Sequence, residues 1–214
     1  MKYIKILSVI LLLYTASAGI LFDVPRLPIL NETIRLLYFH VPMWFTMIFL
    51  LLLSSINAYR FISTKNINYH FKSNNYAHVG VYFGVLGIIS GMIWANYTWG
   101  TYWTNDPKLN GSAIGLLIYF GYFILTKSID DESKRAKVSS VYNVFAFSML
   151  IPLIFILPRL TDSLHPGSGG NPGFNVYDLN EQLRIVFYPA VIGFICLGLW
   201  IADIKHKTQK LNNN

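Results

Sequence analysis

The chain has 214 residues, of which 54% are hydrophobic, 16% aromatic and only 13% charged. A soluble domain carries about 25% charged residues, so the simplest account is that lipid replaces water over much of the surface. The single cysteine, Cys196, excludes an internal disulfide, an iron–sulfur cluster held by this chain alone and a C-x-x-C-H attachment site, and the excess of 17 Lys and Arg over 10 Asp and Glu reads as membrane topology rather than nucleic-acid binding.

A helix that crosses a bilayer needs about 20 mostly apolar residues. Six segments qualify: 4–22, 41–62, 79–99, 111–126, 138–157 and 183–204. The gaps leave no room for a soluble domain, so the reading is one all-α membrane domain over 1–214, with six transmembrane helices. With the N-terminus inside, Arg26, Arg35, Lys108, Arg159 and Arg184 fall in the outer segments and the other 12 Lys and Arg in the inner ones. That bias puts both termini on the cytoplasmic side.

In chain order, the first segment combines Lys2 and Lys5 with Ala16, Ser17 and Ala18, a pattern shared with cleaved signal peptides. Its apolar run continues through Ile20, Leu21 and Phe22, which favours a retained helix. His40 stands at the outer mouth of the second helix, with Pro42 suited to its first turn. The third helix carries Gly80, Gly84, Gly87 and Gly91 on one face, a stripe that lets another helix approach closely. It ends in a turn where Trp94, Tyr97, Trp99, Tyr102 and Trp103 fall within ten residues, followed by Asp106, Pro107 and Lys108. An interfacial aromatic belt accounts for such residues, but crowding into one turn also suits a flat platform for a planar ligand. Pro152 is expected to kink the fifth helix. The outer connection 161–182 holds His165 beside Pro166, Gly167, Gly169, Gly170, Pro172 and Gly173. Those glycines imply a mobile segment, with His40 the steadier residue and His165 the one that exchanges. Trp200, toward the inner end of the last helix, reads as an anchor. His70, His78 and His206 fall in inner segments and read as solvated loop residues.

Two outer histidines on separate segments, an aromatic turn and a few outer cations suit haem among several ligands. Porphyrin offers apolar faces, iron that takes imidazole on either side, and propionates that cations pair with.

The stretch Trp99, Gly100, Thr101, Tyr102, Trp103, Thr104, Asn105, Asp106, Pro107, Lys108, Leu109 resembles the tryptophan-rich "WWD" signature of the haem-handling proteins of cytochrome c maturation. The order of outer elements is similar too: histidine, aromatic turn, histidine. Six helices in this length look like the haem exporter protein C (CcmC) family. The resemblance implies that His40 and His165 are axial ligands of the haem iron. Trp99, Gly100, Tyr102, Trp103, Asp106, Lys108 and Leu109 would then form the platform. Tyr102, Asn105, Lys108 and Asn110 stand where the family commonly has Trp, Trp, Arg and Thr, so the aromatic wall is thinner and Lys108 is a point charge rather than a planar fork. The resemblance further implies non-covalent haem b held on the periplasmic side of a bacterial inner membrane. The partners implied are a membrane-anchored haem chaperone and ATP-binding-cassette subunits. A carrier rather than an enzyme is expected, since neither a nucleophile–base pair nor a nucleotide-binding motif is evident. The alternatives are a subunit of a WWD-type cytochrome c haem lyase or synthase, a small-solute transporter, which wants mid-membrane ionisable groups, and a b-type electron-transfer cytochrome, which wants histidines inside the helices.

Overall fold

The structure, a computed structural model, describes residues 1–27, 29–165 and 179–212. Among these there are helices and turns and no strand. The main helices are α1 (Lys2–Leu21), α2 (Leu37–Thr64, entered through a 3₁₀ segment Asn31–Leu36), α3 (Ile67–Trp99), α4 (Pro107–Lys127), α5 (Glu132–Ile151) and α6 (Glu181–Asn212). Six helical stretches are long and apolar enough to cross a membrane, which makes this a multi-pass membrane protein.

The tightest pairing in the bundle follows from one turn. Lys65 ends α2 in the left-handed region at φ 59°. The Asn66 side chain then caps α3 by accepting from the Asn68 N–H at 3.0 Å. Two residues therefore join two long helices and fix their antiparallel register. Every glycine of the α3 stripe meets the α2 residue equidistant from that turn: Gly80 faces Leu51, Gly84 faces Met47, Gly87 faces Trp44 and Gly91 faces His40. The stripe serves packing, as its spacing suggests, and it also runs directly into a candidate site residue.

The early start of α3 and the long run of α6 overturn one expectation. His70, His78 and His206 are helical, not solvated loop residues. His70 is buried between Phe61 and Phe71, and His78 stacks on Phe123 with centroids 4.2 Å apart. Both nitrogens of His206 are shielded from solvent, with no hydrogen-bond partner among the described residues. Pro42 is likewise inside α2 rather than in its first turn, because the helix begins at Leu37.

The kink expected at Pro152 takes the form of a π-helical segment, Pro152–Ile156, before a last turn, Leu157–Leu160. The Leu157 N–H donates to the Pro152 carbonyl, five residues back, while residue 158 is a proline with no N–H to give. Gly111 of α4 packs on the Leu153 carbonyl, where a Cβ would collide. On the other side of the bundle α1 lies on α6. The Tyr14 hydroxyl donates to the Ile185 carbonyl at 3.1 Å, the group that Pro189 cannot reach as a donor. Lys5 Nζ lies 5.5 Å from the centre of the Trp200 ring, consistent with anchoring.

Candidate functional site

The site grows from the C-terminal end of α3. His40 is the fourth residue of α2, and its ring lies on Gly91 because a Cβ there would stand 2.7 Å from Cε1. His40 Nδ1 is 3.0 Å from Ser90 Oγ, and Ser90 Oγ donates to the Gly87 carbonyl at 3.0 Å. With the serine proton directed to that carbonyl, the imidazole N–H belongs on Nδ1, leaving the lone pair on Nε2. Trp44 and Trp94 present their rings edgewise to the imidazole, with centroids at 6.5 and 5.8 Å. Trp94 is held in turn by donating to Thr33 Oγ1 at 3.3 Å.

Five residues further along α3, about 7.5 Å at the helical rise, Trp99 meets His165 edge-on at 4.9 Å. Gly100 then stops the helix in the left-handed region at φ +76°, with no atom near its would-be Cβ. Its place in the motif is a backbone requirement, not a contact.

Asp106 ties the turn to His165. Its Oδ1 caps α4 by accepting from the N–H groups of Lys108 at 2.9 Å and Leu109 at 3.2 Å. The same oxygen accepts from His165 Nδ1 at 2.9 Å. Oδ2 accepts from Ser163 Oγ and from the Leu164 N–H, each at 2.8 Å. The carboxylate side chain is only 1% exposed. Burial alone would raise its pKa, but the donors from His165, Ser163 and Leu164 overcome that and hold it far below the ordinary carboxylate range. An ionised acceptor obliges His165 to carry its proton on Nδ1, again freeing Nε2.

Among the described residues the hydrogen bonds seen at the two rings are at Nδ1, with the Gly87 carbonyl also within hydrogen-bond reach of His40, and His165 and Lys108 both lie near enough for their charges to act on His40. Trp94 and Trp99 line this region. Tyr102 and Trp103 point outward, 56% and 38% exposed, and make no ring contact among the described residues, whereas Leu109 is buried beneath the turn. Of the outer cations, Arg35 is committed: its guanidinium donates to the Gly19 and Phe22 carbonyls at the end of α1 and to Glu32. Arg159 donates to the Phe155 carbonyl at 2.8 Å, and Lys108 and Arg159 lie close enough to act on each other.

Ser90, Gly91 and Ser163 were not singled out from the sequence as site residues. For Gly91 the signal was present, since counting back from a turn at 65–66 pairs it with His40. The glycines and prolines at 166–173, on which the expectation of a mobile His165 rests, lie outside the described residues.

No cluster of three or more His, Cys, Asp or Glu side chains able to hold a bare metal ion occurs among the described residues. Two opened imidazoles do suit an iron whose remaining ligands come from porphyrin. A family model described as heme exporter protein C matches residues 1–214. Proteins named heme exporter protein C are similar to this chain in Bradyrhizobium diazoefficiens (26% identical, covering 83% of this chain and 67% of the relative) and Paracoccus denitrificans (23%, covering 84% and 74%). The relative of that name in Haemophilus influenzae is 23% identical, covering 64% of this chain and 55% of the relative. In that last alignment the chain spans about half of its relative's length.

Proposed function

The chain belongs to the heme exporter protein C family, and from that premise we propose that it carries haem b on the periplasmic face of a bacterial inner membrane and hands it to a membrane-anchored haem chaperone during cytochrome c maturation. One observation carries the reading: both outer histidines have Nδ1 tied by a hydrogen bond, to Ser90 and to Asp106, which orients a free Nε2 for a metal.

In this reading Nε2 of His40 and of His165 would hold the haem iron. Trp94 and Trp99 give apolar edges against the porphyrin, and Lys108 and Arg159 are the cations placed for propionates. The bound haem supplies an iron that accepts these nitrogens without any covalent link to the chain. The protein acts as a carrier rather than an enzyme. Both termini lie in the cytoplasm, as the 12-to-5 charge bias favours, and energy for the cycle comes from ATP-binding-cassette subunits of the same system.

A visible spectrum of the detergent-purified full-length protein tests this. A Soret band that copurifies, and disappears when His40 and His165 are both changed to Ala with the protein still in the membrane, is the expected result. A Soret band unaffected by the double substitution sinks the assignment.

A further inference from the structure

The two ring-orienting bonds differ in chemistry, and the difference bears on how haem is released. His40 meets only neutral acceptors: a serine hydroxyl already committed to the Gly87 carbonyl, and that carbonyl itself within hydrogen-bond reach. His165 donates to a buried carboxylate. A hydrogen bond to an ionised acceptor is roughly twice as strong as one between neutral groups. Drawing the Nδ1 proton toward a carboxylate also raises the basicity of the opposite nitrogen, an established means of tuning a ligated metal.

Resting on the haem-carrier reading above, we infer that Asp106 is a positioning residue that makes His165 the stronger of the two iron ligands, so that the His40–iron bond is the one given up first when haem leaves. This reverses the order that the glycines following His165 suggest on their own. Ser163 moderates the effect. Its hydroxyl and the Leu164 N–H share the charge on Oδ2, so the carboxylate that His165 meets is partly neutralised. The two serines therefore play different parts: Ser90 holds a histidine directly, whereas Ser163 acts on one through Asp106.

The test uses the full-length protein with copurified haem and reads the midpoint potential of the iron and the rate of haem loss to apomyoglobin. A more basic ligand favours the ferric state, so Asp106→Asn, which keeps the shape and removes the charge, is expected to raise the potential. It should also speed haem loss on the order of 10–100-fold, the usual cost of losing such an outer partner. Asp106→Glu should recover part of both. Ser163→Ala leaves more charge for His165 and should shift the potential the opposite way, downward. A residue that merely held the turn together would not move the potential in opposite directions in these two variants. Potentials that stay put or shift together, with haem still bound, overturn the inference and leave the haem reading intact. If Asp106→Asn fails to accumulate, the sign of the Ser163→Ala shift decides. Wild-type protein without copurifying haem would instead refute the functional reading beneath it.

Discussion

His40 and His165 sit at the same end of α3 but are held by different forces. His40 is held by packing. Its place is set by the two-residue turn at Lys65 and Asn66, carried up the α2–α3 pair and completed by the missing side chain of Gly91. His165 is held by charge, through a short chain of donors that converge on Asp106. The first arrangement depends on register over a long stretch of helix, the second on a few local hydrogen bonds. Packing tolerates little added volume, whereas a carboxylate with five donors keeps most of them if one is lost. The two halves of the site should therefore fail in different ways.

The largest expected effect separates the histidines from each other and from those deeper in the bundle. His165→Ala should retain less haem than His40→Ala, because it removes the carboxylate-backed ligand. His70→Ala and His78→Ala should leave the haem spectrum unchanged. They should nevertheless lower thermal stability, since each removes a buried or stacked ring, a change that costs about 1–3 kcal/mol. Haem content and melting temperature of the same purified samples check this. Equal haem loss in His40→Ala and His165→Ala would erase the distinction between them.

A smaller effect is expected at the glycines, one on each side. Gly91→Ala should push the His40 ring out of place while leaving Asp106 and His165 untouched. Haem loss severalfold faster than wild type, in a protein that still accumulates, is the expected outcome. Gly100→Ala acts through backbone strain alone, because its left-handed φ is costly for a residue with a Cβ and open space surrounds it. It should cost about 1 kcal/mol of stability and loosen the Trp99 edge of the site. Apomyoglobin capture rates for the two variants, set beside their melting temperatures, test the contrast. A Gly91→Ala protein that loses stability but not haem would mean that the stripe serves packing only.

The sequence makes the membrane class and the number of spans legible, because apolar runs are local signals. Helix ends are less so. Residues 67–78 are too polar for a hydropathy window, yet Asn66 caps a helix there and buries His70. The aromatic stretch 99–109 is visible in the sequence, but spacing alone does not say which of its members lie against His165. Trp99 and Asp106 reach His165, whereas Tyr102 and Trp103 point away. Ser90 and Ser163 carry no signature because a serine becomes an orienting residue only through what the fold brings next to it.

The smallest expected effect concerns pH, and it sharpens the claim that His165 is held by charge. The Asp106 carboxyl titrates far below its ordinary value near 4. A depressed native pKa means that the stabilisation is fully present above the unfolded value. It is lost only as pH falls through the folded one. Between pH 8 and pH 5 Asp106 therefore stays ionised, and its bonds to Ser163, Leu164 and His165 stay made. The Trp99 contribution to the near-ultraviolet circular dichroism of the haem-free protein, taken as the difference between wild type and Trp99→Phe, should change only in stronger acid. A transition near pH 4 to 5 would mean that the donors around Asp106 do not outweigh its burial. Acid that releases haem while this signal stays flat would place the competing proton on a group other than Asp106.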